Sequence, residues 1–462
     1  MAEAPLRVAV IGSGPAGFFT TEHLLRQEQP VSVDLFDRLP TPFGLVRGGV
    51  APDHPKIKSV TRVYEKVAAH PAFRFFGNVT AGRDITAEDF ARHYHAVVWA
   101  VGAETDRRLD IPGEDLPGSH TATEFVAWYN GHPDFRHRQF DLSQESAAVV
   151  GVGNVAMDVT RILASDPDEL ARTDIAAHAL AALRASRVRT IYLLGRRGPA
   201  QAAFTNPELK EFGELPLADV VVRPADLALD PATRAALEAN PDREAEKNLK
   251  TLHGFVERGL LGRPRRIEFR FCTSPLRLEG DGRVERIVLG TNRLVPGDRG
   301  VQAIPTGEEE SVPVGLVFRS VGYRALPVEG VPFDTIRAVI PNDRGRVLHG
   351  PGGTVVGAHY VAGWIKRGPS GVIGTNKPDA AETAERLLED AARGALPAPP
   401  APAPDAVHDL LRTRGVEVVT WADWQALDAQ EVAAGAARGA PREKVTDTGE
   451  MLAIIRGARQ RR

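Results

Sequence analysis

Two glycine-rich loops on one chain constrain this sequence more than any other feature. The first, GSGPAG, occupies Gly12–Gly17, and the second, GVGNVA, occupies Gly151–Ala156. Each follows a short run rich in β-branched residues, RVAVI and AAVV, and each precedes a helical pattern. A single G-x-G often arises by chance, but two of them between a strand and a helix are typical of dinucleotide-binding units. The pattern therefore predicts a protein that holds two dinucleotides face to face, as hydride transfer between them requires.

The first loop has the residue types that a bound pyrophosphate needs. Gly12 allows the tight turn, Gly14 lets the backbone approach the phosphates, and Gly17 lets the helix pack closely on the strand. The amino end of that helix, where Ala16 lies, supplies amide donors and a positive dipole. Asp37 ends the second strand, 25 positions after Gly12, and suits an acceptor for a ribose hydroxyl. The alternative is a turn with only a structural role.

The second loop repeats the pattern with alanine at its last position. It precedes a helix predicted over Val155–Leu163. The next strand, TIYLLG, ends in Arg196 and Arg197, where an NAD site would carry an acidic residue. Adjacent guanidiniums suit a 2′-phosphate, which arginine binds in a bidentate manner, so the pattern favours NADP over NAD. An exposed basic turn is the alternative.

Composition limits the remaining classes of protein. A chain of 462 residues with 43% hydrophobic and 25% charged residues is expected to form two or three globular domains. Its net charge of −3 gives no nucleic-acid signal, and no apolar run approaches the roughly 20 residues that span a bilayer. The start, MAEAPL, has no basic and then apolar leader, so we expect a cytoplasmic protein.

A single cysteine excludes several redox mechanisms. Cys272 alone cannot form an internal disulfide, a CxxC pair or a cysteine-ligated iron–sulfur cluster. We expect it in a strand, IEFRFCTS, as a small buried apolar residue. The 13 histidines show no HExxH or similar spacing, so no metal site is predicted.

The order of apolar runs predicts an α/β fold with two Rossmann-like domains. In the first 100 residues, the strands RVAVI, VSVDLF and AVVWAVG alternate with helices over Ala16–Glu28 and Ile57–His70. Such alternation is typical of a parallel, doubly wound sheet that binds nucleotides at its carboxyl edge.

Two similar strands indicate that one domain is inserted in the other. Both contain Val-Gly after an apolar run, and they lie on either side of the second glycine loop in the sequence. They are AVVWAVGAE at 96–104 and VGLVFRSVGYR at 314–324. We predict a first nucleotide domain over 1–106 and 323–462, with a second nucleotide domain over 107–322 inserted in it. A tether rich in proline and alanine, LPAPPAPAP at 396–404, precedes a carboxyl-terminal wrap on the first domain. The alternative is a chance likeness between two apolar strands.

Five longer motifs carry a family resemblance. They are PFGLVRGGVAPDHPKIK at 42–58, IPGEDLPGS at 111–119, GNVAMDVTRIL at 153–163, GRRGPAQAAFT at 195–205 and VAGWIKRGPSGVIGTN at 361–376. In these segments and in their order, essentially the whole chain resembles the adrenodoxin-reductase-like ferredoxin–NADP(+) reductases, including their actinobacterial members.

The resemblance implies FAD at the first loop and NADP at the second. The residues expected at FAD are Gly12, Gly14, Ala16, Gly17, Asp37, Leu45, Val79, Trp364, Gly371, Val372 and Ile373. Those expected at NADP are Arg107, Val152, Gly153, Asn154, Val155, Arg196, Arg197, Glu208 and Gly371. Trp364 follows a strand-ending glycine where many related flavoproteins carry an aspartate. Gly371–Ile373 are predicted to open a helix whose positive end faces the flavin.

Two ionisable residues are the predicted catalytic pair. Hydride transfer to a flavin depends more on alignment than on acid–base chemistry. The resemblance implies that His54, in PDHP, and Glu211, in PELKEF, form a polar relay that positions the nicotinamide. From sequence alone, a lone histidine in a proline-rich turn is more often structural.

The predicted activity is that of a ferredoxin–NADP(+) reductase. FAD divides a two-electron donor into single-electron deliveries, which a separate iron–sulfur ferredoxin requires. The alternatives are an NADPH-dependent diaphorase or quinone reductase, and an electron-donor subunit of a larger complex. Candidates for a basic surface that docks an acidic ferredoxin are Arg258, Arg263, Arg265, Arg266 and Lys210. The terminal RGARQRR is expected to be a frayed tail.

Overall fold

The computed structural model describes residues 5–298 and 300–461, which form two compact units. Unit 1 comprises the described chain up to Thr105, Asn130–Pro133 and the residues from Tyr323 onward. Unit 2 comprises Asp106–Tyr129 and Asp134–Gly322. The segment Asn130–Pro133 belongs to unit 1, whereas the sequence pattern assigns it to the second domain. Residues 1–4, the start of the segment behind the localisation prediction, lie outside the described range.

Strands and helices alternate through much of the described chain. The strands are β1 (Leu6–Ile11), β2 (Val31–Phe36), β3 (Phe73–Phe76), β4 (Ala96–Trp99), β5 (Thr105–Asp106), β6 (Ser119–Thr121), β7 (Ser146–Val150), β8 (Thr190–Leu194), β9 (Ala218–Val221), β10 (Arg265–Arg270), β11 (Thr273–Glu279), β12 (Arg286–Gly297), β13 (Gly300–Pro313), β14 (Leu316–Arg319), β15 (Tyr323–Arg324), β16 (Asn342–Asp343), β17 (Arg346–Leu348) and β18 (Val355–Val361). The α-helices are α1 (Pro15–Leu25), α2 (Leu45–Gly48), α3 (Pro55–Lys58), α4 (Thr61–Ala68), α5 (Ala87–His93), α6 (Ala122–Tyr129), α7 (Asn154–Ala164), α8 (Pro167–Leu170), α9 (Ala177–Arg184), α10 (Asn206–Glu214), α11 (Pro231–Ala239), α12 (Arg243–Arg258), α13 (Trp364–Arg367), α14 (Asn376–Ala392), α15 (Ala406–Thr413), α16 (Trp421–Ala437) and α17 (Thr448–Gln460). No helix in the described ranges is long and apolar enough to cross a membrane.

Unit 1 contains a seven-stranded sheet in the order β16-β17-β18-β4-β1-β2-β3. The five strands from β18 to β3 are parallel, and β16 and β17 add an antiparallel edge. All six residues of β1 are buried, as expected for a central strand covered on both faces. The first glycine loop therefore follows a strand in the middle of the sheet.

Unit 2 contains a parallel six-stranded sheet in the order β6-β14-β7-β8-β10-β9. A second sheet, β11-β12-β13, is antiparallel. The second glycine loop follows β7, whose neighbours are β14 and β8. The predicted α/β fold with parallel, Rossmann-like sheets is confirmed. The two similar apolar strands of the sequence, β4 and β14, belong to different sheets.

The predicted helix over Ile57–His70 is two helices, α3 and α4. The first begins early because Pro55, with its preset φ, occupies the first turn. It ends at Lys58, because the hydroxyl of the next residue, Ser59, donates to the Lys56 carbonyl at 2.6 Å and so competes with the helical backbone bonds.

The predicted strand around Cys272 is interrupted at that residue. Cys272 lies between β10 and β11, where the chain passes from the parallel to the antiparallel sheet, and its φ is +51°. It is half-buried, and burial raises the pKa of its thiol to about 11. The expectation of a fully buried strand residue is wrong, since the run IEFRFCTS supplies the end of one strand and the start of another.

The proline-rich segment 396–404 is bound to unit 1. Arg7 donates to the Pro402 carbonyl at 3.0 Å, and Arg74 donates to the Pro404 carbonyl at 2.7 Å. The Ala401 amide donates to the Arg92 carbonyl at 2.9 Å. Composition indicates a tether, but these contacts hold it in place.

The terminal arginines are not a frayed tail where the structure describes them. Arg456 pairs with Glu417 at 3.0 Å, and Arg459 pairs with Asp423 at 2.6 Å, both from α17. Arg462 lies outside the described residues. These pairs bind the last helix to unit 1, so the expected fraying is wrong for the described part of the segment.

The Asp89 carboxylate in unit 1 makes stability depend on pH. It caps α5 with Thr86 and accepts from Arg414 at 2.6 and 3.0 Å. Burial opposes ionisation, but the bonds from Arg414 and Thr86 outweigh it and lower the pKa to about 2. Because the folded pKa lies below the unfolded value, this stabilisation is present above about pH 4 and is lost as pH falls toward 2. As the pH is lowered from 6 to 2, the melting temperature should fall less steeply in Asp89→Asn than in wild type. Parallel curves of melting temperature against pH for the two proteins would contradict the assignment.

Candidate functional site

Two glycines of the first motif are required by the fold. Gly12 has φ +106°, and a Cβ there would lie 2.4 Å from the Ala100 carbonyl oxygen. A Cβ on Gly17 would lie 1.9 Å from the Gly12 carbonyl oxygen. Neither neighbour is a flexible side chain, so only glycine allows this strand, turn and helix to pack so closely.

The middle glycine of this motif has space around it. Gly14 has an ordinary φ of −78°, and in the part of the chain that the structure describes a Cβ there would meet only the Gly44 Cα, at 4.0 Å. The fold itself therefore does not need glycine at this position. The open space lies at the amino end of α1, where unpaired amides can bind phosphate oxygens.

Asp37 is fixed beside the first motif. Its Oδ2 accepts from the Ser13 amide at 3.0 Å and from the Ser13 hydroxyl at 2.5 Å, and its Oδ1 accepts from the Leu39 amide at 2.9 Å. Burial raises the pKa of Asp37 despite these bonds, which oppose the shift. Ser13, which sequence reasoning did not single out, orients the carboxylate at the end of β2.

The loop that follows β2 lies directly on the first motif. The Phe43 amide donates to the Ser13 carbonyl at 3.0 Å, and a Cβ on Gly44 would lie 2.9 Å from the Gly14 Cα. Leu45, the first residue of α2, is 37% exposed and available to a ligand. His54 occupies the N-cap position of α3 and is half-buried. The proline- and glycine-rich signature thus contributes backbone and side chains to the same site.

A late segment of the chain returns to the first motif. Gly363, after β18, has φ +80°, and a Cβ there would lie 2.6 Å from the Ala16 Cβ. Trp364 then begins α13, and its indole nitrogen donates to the Ser370 carbonyl at 3.2 Å. The sheet therefore brings Trp364 near the first motif from more than 300 residues away.

One prediction at the FAD site needs correction in detail. Gly371 and Val372 precede the helical turn, which runs from Ile373 to Thr375 before α14 begins. Gly371 has φ +80°, so it turns the chain and does not open the helix. Val79 is 2% exposed in the apolar core, and its amide donates to the Asp37 carbonyl at 2.9 Å, so its contact with FAD stays a prediction.

The second motif repeats the division of roles found in the first. Gly151 has φ +129°, and a Cβ there would lie 2.1 Å from the Ser320 carbonyl oxygen, so the fold requires glycine. Around Gly153, a Cβ would meet no atom of the described residues within 4 Å, which leaves the amino end of α7 open. Asn154 accepts from the Thr205 amide at 2.9 Å, and Val152 accepts from the Ala203 amide at 2.9 Å.

Two cationic side chains, Arg196 and Arg197, follow β8 directly. Among the described residues, no carboxylate lies within 4 Å of the guanidinium of Arg196 or Arg197. Their backbones are fixed, since the Arg196 carbonyl accepts from Asn292 and the Arg197 carbonyl accepts from the Cys272 amide. Burial, with the adjacent Arg196 charge, lowers the pKa of Arg197. Neighbouring cations that repel one another in this way are suited to an anion.

A buried arginine that sequence reasoning missed pairs with three acidic residues of unit 2. Arg161 on α7 is 3% exposed and lies 3.0 Å from Glu208 and 3.2 Å from Glu211. It also pairs with Asp158 at 2.7 Å. The i, i+3 spacing of Asp158 and Arg161 within GNVAMDVTRIL was the available signal. Val155, the remaining predicted residue of this motif, lies in the first turn of the same helix.

The remaining predicted cations differ in exposure. Arg265 is buried and donates to the Leu163 and Ser165 carbonyls, so its prediction as a docking residue is wrong. Arg258, Arg266 and Lys210 are exposed, and Arg263 is half-buried. Arg107, predicted at NADP, is exposed, and its amide donates to the Gly322 carbonyl at 2.9 Å.

Comparison with known proteins gives extensive similarity. The family model described as pyridine nucleotide-disulphide oxidoreductase matches residues 6–184. The chain is 48% identical to NADPH-ferredoxin reductase FprA of Mycobacterium tuberculosis, over 97% of this chain and 99% of that protein. It is 44% identical to human mitochondrial NADPH:adrenodoxin oxidoreductase, over 97% of this chain and 92% of that protein. The solved structure of Mycobacterium tuberculosis FprA in complex with NADPH matches with a TM-score of 0.92 and 47% identity, covering 98% of this chain and 100% of that one.

Proposed function

The chain belongs to the adrenodoxin-reductase-like ferredoxin–NADP(+) reductases, and on that premise we propose that it transfers electrons between NADPH and a separate iron–sulfur ferredoxin through FAD. The names of its relatives, NADPH-ferredoxin reductase and NADPH:adrenodoxin oxidoreductase, support the oxidoreductase activity and the use of NADPH. The single Cys272 cannot hold an iron–sulfur cluster, so the cluster must belong to a partner protein.

The residues at both glycine motifs fit the cofactors. Gly14 and Gly153 leave open space before a helix amino end, as a pyrophosphate requires. One observation supports NADP in particular. Among the described residues, Arg196 and Arg197 have no neighbouring carboxylate, so both guanidiniums are available to a 2′-phosphate. Asp37, held by Ser13, suits the ribose of the other dinucleotide. Bound FAD supplies hydride acceptance from NADPH and single-electron transfer to the partner.

We propose the cofactor sites residue by residue. Unit 1 would bind FAD through Gly12, Gly14, Ala16, Gly17, Asp37, Leu45, Val79, Trp364, Gly371, Val372 and Ile373. Unit 2 would bind NADP through Arg107, Val152, Gly153, Asn154, Val155, Arg196, Arg197 and Glu208, and Gly371 is proposed to contact NADP as well. In this scheme, unit 2 is an NADP domain inserted in the FAD domain.

The proposed catalytic residues are His54 and Glu211, which position the nicotinamide and break no bonds themselves. Replacing His54 by glutamine should slow flavin reduction by NADPH about threefold to tenfold, because alignment is impaired and hydride transfer needs no proton from the side chain. Stopped-flow absorbance at the flavin band measures the rate. His253→Gln, on the exposed side of α12, is the matched control. An unchanged rate in His54→Gln would remove this residue from the mechanism.

The function itself has a direct spectroscopic test. The purified protein should show a flavin spectrum that NADPH bleaches under anaerobic conditions and that NADH bleaches far more slowly. Coupled reduction of cytochrome c should depend on added ferredoxin and should exceed turnover with a quinone. A colourless protein that cannot be reconstituted with FAD would contradict the proposal, and quinone turnover without ferredoxin dependence would favour a diaphorase.

We also propose that the protein acts in the cytoplasm. With one cysteine, its fold depends on no internal disulfide and hence on no oxidising compartment. Cell fractionation followed by immunoblotting tests this location, and enrichment in a membrane or secreted fraction would contradict it.

A further inference from the structure

A buried carboxylate near the carboxyl terminus is bound to the loop that lies on the first glycine motif. Glu431, on α16, is fully buried and accepts from both terminal nitrogens of Arg47, at 2.8 and 2.5 Å. The Val445 amide donates to the same carboxylate at 2.9 Å, and Arg442 lies 3.3 Å from it. Burial opposes ionisation, but these partners outweigh it and lower the pKa of Glu431. The carboxylate is therefore charged and held in one orientation.

Arg47 follows Gly44, which lies against the glycine motif, by three residues. It lies in α2, which starts directly after the two residues that contact the motif. Phe43 donates its amide to the Ser13 carbonyl, and Gly44 approaches the Gly14 Cα. Any displacement of Arg47 therefore moves the backbone that lies against the proposed pyrophosphate site.

Three further contacts join the same segments. Lys444 donates to the Arg47 carbonyl at 3.1 Å. The Trp424 ring lies 5.2 Å from the Arg47 guanidinium and 5.8 Å from the Phe43 ring. The carboxyl-terminal segment thus contacts residues 43–48 through an ion pair, a hydrogen bond to a backbone carbonyl and the ring of Trp424.

A buried ion pair gives little net stability, because the attraction must offset the desolvation of both charges. A bidentate arginine–carboxylate pair does, however, fix direction as well as distance. We propose that Glu431 is a positioning residue of the flavin site, which holds residues 43–48 against the first glycine motif through Arg47 and so limits the release of FAD. This inference rests on the proposed binding of FAD in unit 1.

The test compares two conservative variants in the full-length protein. Glu431→Gln keeps the shape of the side chain and removes its charge. Glu443→Gln is the control, because it removes an exposed partner of Arg438 in the same part of the chain. We expect the FAD dissociation constant, measured by flavin fluorescence, to rise at least about tenfold in Glu431→Gln and to change by less than about twofold in the control.

Melting temperatures with and without FAD separate positioning from general stability. If Glu431 positions the loop, Glu431→Gln should lose more stability in the presence of FAD than in its absence. The rise in melting temperature on adding FAD is then smaller in the variant than in the wild type. Equal losses in both states, with unchanged FAD affinity, would overturn the proposal. If Glu431→Gln does not fold, Arg47→Lys decides, because lysine keeps the charge but loses the bidentate bond. If Arg47→Lys binds FAD as tightly as the wild-type protein does, the proposal is also overturned. If the wild-type protein itself binds no FAD, the proposed function is contradicted instead.

Discussion

Replacing Gly14 by alanine is expected to give a folded protein without FAD. The added Cβ lies 4.0 Å from the Gly44 Cα, and the φ of −78° suits alanine, so the apoprotein should fold normally. The same Cβ occupies the space through which a pyrophosphate reaches the amides of α1. Losing one or two charge-assisted bonds should weaken FAD binding at least about 100-fold. The absorbance ratio of flavin to protein and a fluorescence titration measure the loss.

Gly17→Ala provides the contrast within the same motif. Its Cβ would lie 1.9 Å from the Gly12 carbonyl oxygen, so helix and strand must separate. We expect the melting temperature of the apoprotein to fall by about 5 °C or more, in addition to the loss of flavin. A Gly14→Ala protein that keeps its yellow colour would show that the phosphate does not approach at Gly14.

Removing both arginines after β8 is expected to abolish the preference for NADPH. The variant Arg196→Ala with Arg197→Ala should lose about 100-fold or more in kcat/KM for NADPH, since each charge-assisted bond to a phosphate contributes about 1.5–3 kcal/mol. The value for NADH should change by less than about threefold, because that coenzyme lacks the 2′-phosphate. Initial rates with both coenzymes, measured with one artificial acceptor, give the comparison.

The control for this variant is Arg266→Ala. Arg266 is an exposed arginine of the same unit that also lacks a carboxylate within 4 Å among the described residues, and it contacts Thr190 at 3.2 Å. Its removal should leave the ratio of the two coenzymes unchanged. An equal loss for NADPH and NADH in the double variant would mean that the arginines do not read the 2′-phosphate.

Local sequence patterns were sufficient to predict the features that depend on a few consecutive residues. The strand, turn and helix around each glycine motif depend on short-range sterics, so the parallel sheets followed from them. The same local reasoning failed at Cys272, where an apolar run spans the transition between two sheets. It also failed at 396–404, because composition cannot show that Arg7 and Arg74 bind the proline carbonyls.

The charged groups that support the sites were beyond prediction from the sequence alone. Arg161 and Glu208 are 47 positions apart, and Arg47 and Glu431 are 384 apart. Many arginines and carboxylates could pair in a chain with 57 basic and 60 acidic residues. Burial selects among them, because only a buried charge must find a specific partner.

By itself, the sequence determined the fold class, the two dinucleotide motifs, the choice of NADP and the family, since each depends on residues close together in the chain. The tertiary structure decided which glycines the fold requires and which leave room for a ligand, because that depends on atoms such as the Ala100 and Ser320 carbonyls. It also decided that the carboxyl-terminal segment holds the loop on the first motif. Such contacts arise only when a sheet or a core brings distant segments within a few ångströms of each other.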